Sequence, residues 1–247
     1  MAYSSGFSPH PRISYPNASP TGAASEAEYL EIGLAAACDP DKVRAALDAA
    51  LPPGLDVVEV APARPGALAG ELTGSRWQVD LAGLSRATLQ AARDAFLAAE
   101  VVLVQRMTKN GMREFDARAA VVTLEVEDRR LTMTLVHQTP LVRPDDVLAG
   151  LLVASPELAP TEPPILTRLV QGRLDLESGA ITEPGHPVPA APHDASASCD
   201  LCDTGVGLDA SASSLDGRQA RRNPSRQQVK SVFHRDEQGF ECDVASA

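Results

Sequence analysis

Lysine is nearly missing from this 247-residue chain, with Lys42, Lys109 and Lys230 its only three, while arginine and alanine are abundant. That bias is usual in high-GC bacterial genomes and speaks to origin rather than mechanism. Aromatic residues make up only 4% of the chain. The formal net charge is -11. An acidic whole does not suit sequence-independent binding to a phosphate backbone, where affinity comes from many Lys and Arg contacts. Only a local basic patch would keep a nucleic-acid function open. Long apolar runs are missing too. Stretches such as Val101 to Val104 fall far short of the roughly 20 residues that span a bilayer as a helix. Met1 to Pro20 is rich in Ser and Pro and has no apolar core of a signal peptide. The expectation is a cytoplasmic protein without a membrane partner. In that compartment the four cysteines, Cys38, Cys199, Cys202 and Cys242, do not form a disulfide framework. Gly-rich phosphate loops, GxSxG elbows and HExxH helices are absent from the sequence. No catalytic residue is therefore nominated, and no cofactor is expected in this chain.

What is present begins as a globular pattern from about Glu26. Leu30, Ile32 and Leu34 lie on one face of a strand, Asp39 is an N-cap, and Pro40 takes the first helical position. Val43, Leu47 and Leu51 then recur at helical spacing until Pro52-Pro53-Gly54, and Leu55 to Val60 is the next strand. Ala61 to Gly70, rich in Pro and Gly, has the composition of a linker. The order then restarts. Trp77, Val79 and Leu81 alternate with polar residues, and Ser85 caps a helix bearing Leu89, Ala92, Phe96 and Ala99. Leu84 and Leu89 occupy the positions of a hydrophobic staple. Val101 to Met107 leads to a turn at Asn110-Gly111. Strands around Val122 to Glu127 and Leu131 to His137 follow, then a helix opened by Pro144 and a last strand, Ile165 to Leu174.

The fold class expected from this order is α+β, with tandem ferredoxin-like (split βαβ) units. Residues 1–62 form a partial unit, 63–176 a second unit with an extra hairpin, and 177–247 a tail whose composition is that of disorder. The partial unit reads β-α-β only, which leaves an open sheet edge. Either it packs onto the second unit, or the chain lacks a first strand and helix; the second alternative is favoured.

Candidate binding residues follow from local chemistry. His10 stands between Pro9 and Pro11, which restrict the backbone and present the imidazole and neighbouring Arg12 on a rigid turn. A rigid turn into Ile13-Ser14-Tyr15 explains the prolines as well and is the favoured reading. Lys109, Arg113 and Arg118, with Arg129 and Arg130, cluster around the central hairpins, and Arg168 and Arg173 lie on the last strand. They would face RNA or phosphate on a ferredoxin-like sheet, or form an ordinary solvated face; the scarcity of strand aromatics favours the latter. Cys199 and Cys202 form a CxxC that His193 or Cys242 would complete as a zinc site, against a background in which such pairs are often coincidental. Asp145 and Asp146 sit in the first turn of a helix, where they complement its dipole.

The opening segment Met-Ala-Tyr-Ser-Ser-Gly-Phe-Ser-Pro-His-Pro-Arg-Ile-Ser-Tyr-Pro-Asn-Ala-Ser-Pro resembles the hallmark of the radical-SAM-associated family, a bacterial domain of unknown function. Ser25 to Ile32, the Lys109-Asn110-Gly111 turn and Asp116-Ala117-Arg118 are similar to that family as well, so the likeness covers roughly Met1 to Leu174. In the family a basic strand and an amphipathic helix precede the hallmark, which would make Met1 an internal methionine of an N-terminally truncated chain. The resemblance implies a non-catalytic accessory or substrate-presenting role beside a radical-SAM protein, in RNA or ribosome-related modification. It implies a partner carrying an iron-sulfur cluster and S-adenosylmethionine. This chain lacks the CxxxCxxC run that would hold such a cluster. An RNA-binding module is the alternative expectation.

Overall fold

The computed structural model describes residues 1–5, 7–109 and 111–185, and the backbone of 227–235. The fold is α+β. The N-terminal part holds β1 (Ile13–Ser14), β2 (Ala24–Ser25), β3 (Glu28–Leu34), α1 (Pro40–Ala50), β4 (Leu55–Pro62) and α2 (Ala67–Glu71). The helix starts where local chemistry places it: the Asp39 carboxylate accepts a hydrogen bond from the Asp41 amide, with Pro40 in the first turn.

Next come β5 (Gly74–Asp80), α3 (Arg86–Ala98), β6 (Leu103–Thr108), β7 (Gly111–Asp116), β8 (Val121–Glu127), β9 (Arg130–Val136), α4 (Pro144–Ala154), β10 (Ile165–Leu174) and β11 (Ile181–Thr182). Ser85 caps α3 by accepting from the Thr88 amide at 3.1 Å. Leu84 and Leu89 are both buried, as a staple requires.

Strands β10, β5, β9 and β8 lie side by side in that order, and each neighbouring pair is antiparallel. Two strands antiparallel to the same neighbour are parallel to each other. So β5 and β8 form a βαβ unit through α3 with β9 inserted between them. By the same logic β9 and β10 form one through α4, with β5 inserted. That is the split βαβ of a ferredoxin-like unit. Its core joins Trp77, Val79, Leu131, Met133 and Leu135 of the sheet to Leu89 and Phe96 of α3 and to Val147 and Leu151 of α4. The extra hairpin β6–β7 forms a two-stranded sheet of its own, turning at Gly111, whose φ of 105° glycine adopts without strain.

The N-terminal sheet runs β1-β3-β12-β4, where β12 is Gln227–Arg235. Here β12 lies parallel to both β3 and β4, and its Val229 to Arg235 pair with the whole of β3. Tail composition masks this strand, although Val229, Val232 and Phe233 are good strand formers. Helix α1 sits lightly on this sheet: none of its residues is buried. Its Val43 and Leu47, with Leu51 at its C-cap, pack on Ile32, Leu34, Val57 and Val60. The N-terminal half also reaches the second unit, where β2 adds to β10 in parallel with Arg168 beside Ser25.

One segment departs from its composition. Ala61 to Gly70 is not a bare linker: β4 continues to Pro62 and α2 follows. Leu68 and Leu72, one helical turn apart, bury themselves against Ala27 and Tyr29. Two leucines are enough to seat a single turn, and the prolines and glycines around them hide the signal. Asn110 of the hairpin turn, and Cys199, Cys202, Cys242, His186 and His193 of the tail, lie outside the described residues. No helix among the described residues is long and apolar enough to cross a membrane.

Candidate functional site

His10 and Arg12 lie in a short backbone loop closed on itself. The Ser4 amide donates to the His10 carbonyl at 2.8 Å, and the His10 amide donates to Ser4 Oγ at 3.0 Å. Arg12 anchors the loop to β3: the Gly33 amide donates to its carbonyl at 2.8 Å. Both residues are exposed. The rigid turn anticipated from the prolines is therefore present.

Lys109 and Arg113 are exposed on the β6–β7 hairpin. Arg106 stands directly opposite Arg113, and Val104 opposite Phe115. Like charges opposite each other on a ribbon repel, but Arg106 is turned away from the repulsion. It forms an ion pair with Asp146 at 2.5 Å, donates to the Leu141 carbonyl at 3.1 Å and lies 4.9 Å over the Phe115 ring. Asp146 thus does more than complement the helix dipole. It also accepts from the Arg143 amide at 2.8 Å. Burial raises its carboxyl above the ordinary range, with the Arg143 amide and Arg106 acting in the opposite direction. The opposite face of the ribbon carries Leu103, Met107 and Met112, which are 51%, 69% and 57% exposed. Met107 and Met112 form a directly opposed pair.

Arg118, Arg130 and Arg168 are engaged elsewhere. Arg118 turns onto its own loop and donates to the Val121 carbonyl at 3.1 Å. Arg130 pairs with Asp80 at 2.5 Å. Arg168 corrects the solvated-face reading outright: it is 3% exposed.

Arg168 belongs to a buried polar network that joins the opening segment to the second unit. Its guanidinium lies 4.7 Å over the Trp77 ring, donates to the Asn17 carbonyl at 2.8 Å and faces Glu28 at 3.5 Å. Glu28, itself buried, accepts from the Tyr15 hydroxyl and the Ser19 amide. Burial and Glu28 push the Tyr15 phenol well above its usual range. Asn17 takes a left-handed backbone, φ 52°, a conformation asparagine tolerates better than most residues.

His137 closes the network. Its Nδ1 lies 2.7 Å from the Leu72 carbonyl, which can only accept, so Nδ1 carries the proton. Nε2 then accepts from Ser75 Oγ at 2.9 Å, and Ser75 in turn accepts from the Trp77 indole at 2.9 Å. The side-chain amide of Asn17 approaches Nδ1 at 3.1 Å. The Leu72 and Ser75 partners suit a neutral imidazole, and burial lowers its pKa, against the Leu72 hydrogen bond. Ser75 and His137 have the spacing of a nucleophile and base. A backbone carbonyl rather than a carboxylate orients the ring, and Trp77 also occupies the hydroxyl. The arrangement ties the end of β9 to β5. Among the described residues no group of three or more His, Cys, Asp and Glu is placed to hold a metal ion.

A pH effect follows. Because the folded-state pKa of His137 is depressed, the unfolded chain takes up the proton first as pH falls. The stabilisation is complete above the unfolded value near 6.5 and is lost as pH falls from there through the lower folded value. Urea midpoints of wild type should drop between pH 7.5 and pH 5.5, conditions chosen to bracket the ordinary histidine value of ~6.5. His137→Asn, less stable at the higher pH, should show a smaller drop. Equal drops would show that His137 does not carry the effect.

Residues 1–144 match a bacterial family described as uncharacterized protein conserved in bacteria (DUF2344). The chain belongs to that family. No curated protein and no solved structure matches it. The part matched to DUF2344 contains Tyr15, Asn17, Glu28, Trp77 and His137, and it contains the whole β6–β7 hairpin. Arg168, on β10, lies outside the matched residues. Sequence patterning missed the network because its members are far apart in the chain and polar residues on strands look solvated until their neighbours are known.

Proposed function

We propose that the chain is a non-catalytic accessory or substrate-presenting protein that works beside a radical-SAM enzyme, in modification of RNA or of the ribosome. The partner would carry the iron-sulfur cluster and S-adenosylmethionine; this chain would position the partner or its substrate. The observation that supports a presenting role is the β6–β7 hairpin. It stands outside the main sheet and exposes Leu103, Met107 and Met112 on one face, where the paired Gln105 and Glu114 lie between them. Methionine is polarizable and unbranched, and it adapts to partner surfaces. The link to radical-SAM chemistry rests on the likeness of the opening segment to that family. Affinity capture of the tagged full chain from its native host tests the reading. Recovery of a protein bearing a CxxxCxxC run is the expected result. Recovery of neither such a protein nor nucleic acid would contradict it.

A second reading, RNA binding, is favoured by Lys109 and Arg113, exposed on the same hairpin. It requires an RNA shift that weakens as salt rises and is lost in Lys109→Ala with Arg113→Ala. Arg118 is not needed for it, since that side chain is engaged with Val121.

A further inference from the structure

The network beneath the opening segment encloses a small cavity of about 50 Å³, lined by Asn17, Ser75, Trp77, His137, Arg143, Arg168 and their neighbours. We propose that this cavity is an anion site that takes one phosphate group.

Charge supports it first. The lining includes two arginines, Arg143 and Arg168, but no aspartate or glutamate, in a chain whose formal net charge is -11. Donor capacity supports it second. Arg168 is 3% exposed, and its Nε–H is buried without a hydrogen-bond partner. Its ion-pair partner, Glu28, faces the guanidinium through Oε1 at 3.5 Å, beyond a good charge-assisted hydrogen bond, while Tyr15 and Ser19 bind the other oxygen, Oε2. A buried donor left unmatched is costly, so a ligand oxygen there would relieve a defect that the protein fold leaves open. Trp77 holds the guanidinium plane from one side, which fixes the fork before any anion arrives.

The cavity mouth supports it third. Arg143 and Pro144, at the start of the 11-residue helix α4, line the cavity; Asp146 already accepts from the Arg143 amide, so the Arg143 side chain rather than the helix terminus would meet an anion. Arg143 itself is exposed at the rim, placed to draw an anion inward. Size then limits the ligand. Space of this order admits a few waters or one oxyanion, whereas a nucleoside or sugar would have to remain outside. The site therefore takes inorganic phosphate or the phosphate end of a larger molecule.

The protein carries its own reporter, because Trp77 is the only tryptophan in the chain and lines the cavity. Titrating the full chain with inorganic phosphate at constant ionic strength should give a saturable change in tryptophan emission, with chloride giving none. Arg143→Ala, a change at an exposed side chain, should weaken binding on the order of tenfold while leaving the melting temperature close to that of wild type. Arg168→Lys keeps the charge but removes the planar fork, and should weaken binding at least as much. Methyl phosphate separates the two sources of ligand: equal or tighter binding supports the phosphate end of a larger molecule, and weaker binding supports the free ion. An emission change identical with chloride, no saturation at tens of millimolar phosphate, or an unaltered response in Arg143→Ala would overturn the proposal. Stronger saturation with acetate than with phosphate would overturn it as well, by assigning the cavity to carboxylates.

Discussion

Arg168→Met is expected to lower the unfolding free energy by about 3–5 kcal/mol, the cost of breaking a buried ion pair from one side. The reason is what remains behind. Glu28 is 1% exposed, and without Arg168 its charge has no opposite partner in the network. The Asn17 carbonyl loses its donor, which loosens the opening segment from β10. Trp77 loses the cation that covers its ring. Urea denaturation followed by circular dichroism measures the loss. Removing the second charge as well, in Glu28→Gln with Arg168→Met, should recover part of it, because two neutral groups replace one stranded charge. Were the double variant to lose the sum of the two single losses, the pair would not be coupled, and the network would be a set of independent contacts.

Phe96→Ala should be as damaging, at about 3–5 kcal/mol. Phe96 is fully buried where α3 meets α4. A β-carbon added to Gly150 would lie 2.8 Å from the ring and 3.2 Å from Val102, so the α4 backbone comes close to Phe96 and truncating the ring opens a cavity at the helix–helix contact. Phe96→Leu keeps most of the volume and should cost less than about 1.5 kcal/mol. Thermal and urea melts of the two variants distinguish a tightly fitted site from a compliant one: similar losses in both would mean the ring's shape matters more than its volume.

These two sites also mark what can be seen in the sequence. Phe96 was legible, because Leu89, Ala92 and Phe96 recur at helical spacing behind the Ser85 cap, and α3 follows that pattern. The same holds for β3, with Leu30, Ile32 and Leu34 on one face, and for β10, whose limits coincide with the expected last strand, Ile165 to Leu174. Short-range signals fix such elements. Arg168 was not legible. Its contact with Asn17 spans 151 positions, and that of His137 with Asn17 spans 120. An arginine on a strand looks solvated until the opposing Trp77 and the incoming segment that covers it are both known. Asp146 illustrates the same limit in milder form. Its place in the first helical turn was plain, while its pairing with Arg106, 40 positions away, depended on how the inserted hairpin folds back. The exposed methionines are a third case. Nothing local distinguishes Met107 and Met112 from core residues, and only the isolation of β6–β7 from the main sheet leaves them uncovered.

The presenting role of that hairpin is the central claim, and capture from the native host with Met107→Glu plus Met112→Glu tests it most directly. Both side chains are exposed, so the variant should melt near the wild-type temperature and fold normally. The prediction is that wild type recovers a protein with a CxxxCxxC run and the variant does not. Equal recovery by both proteins, at matched stability, would contradict the claim.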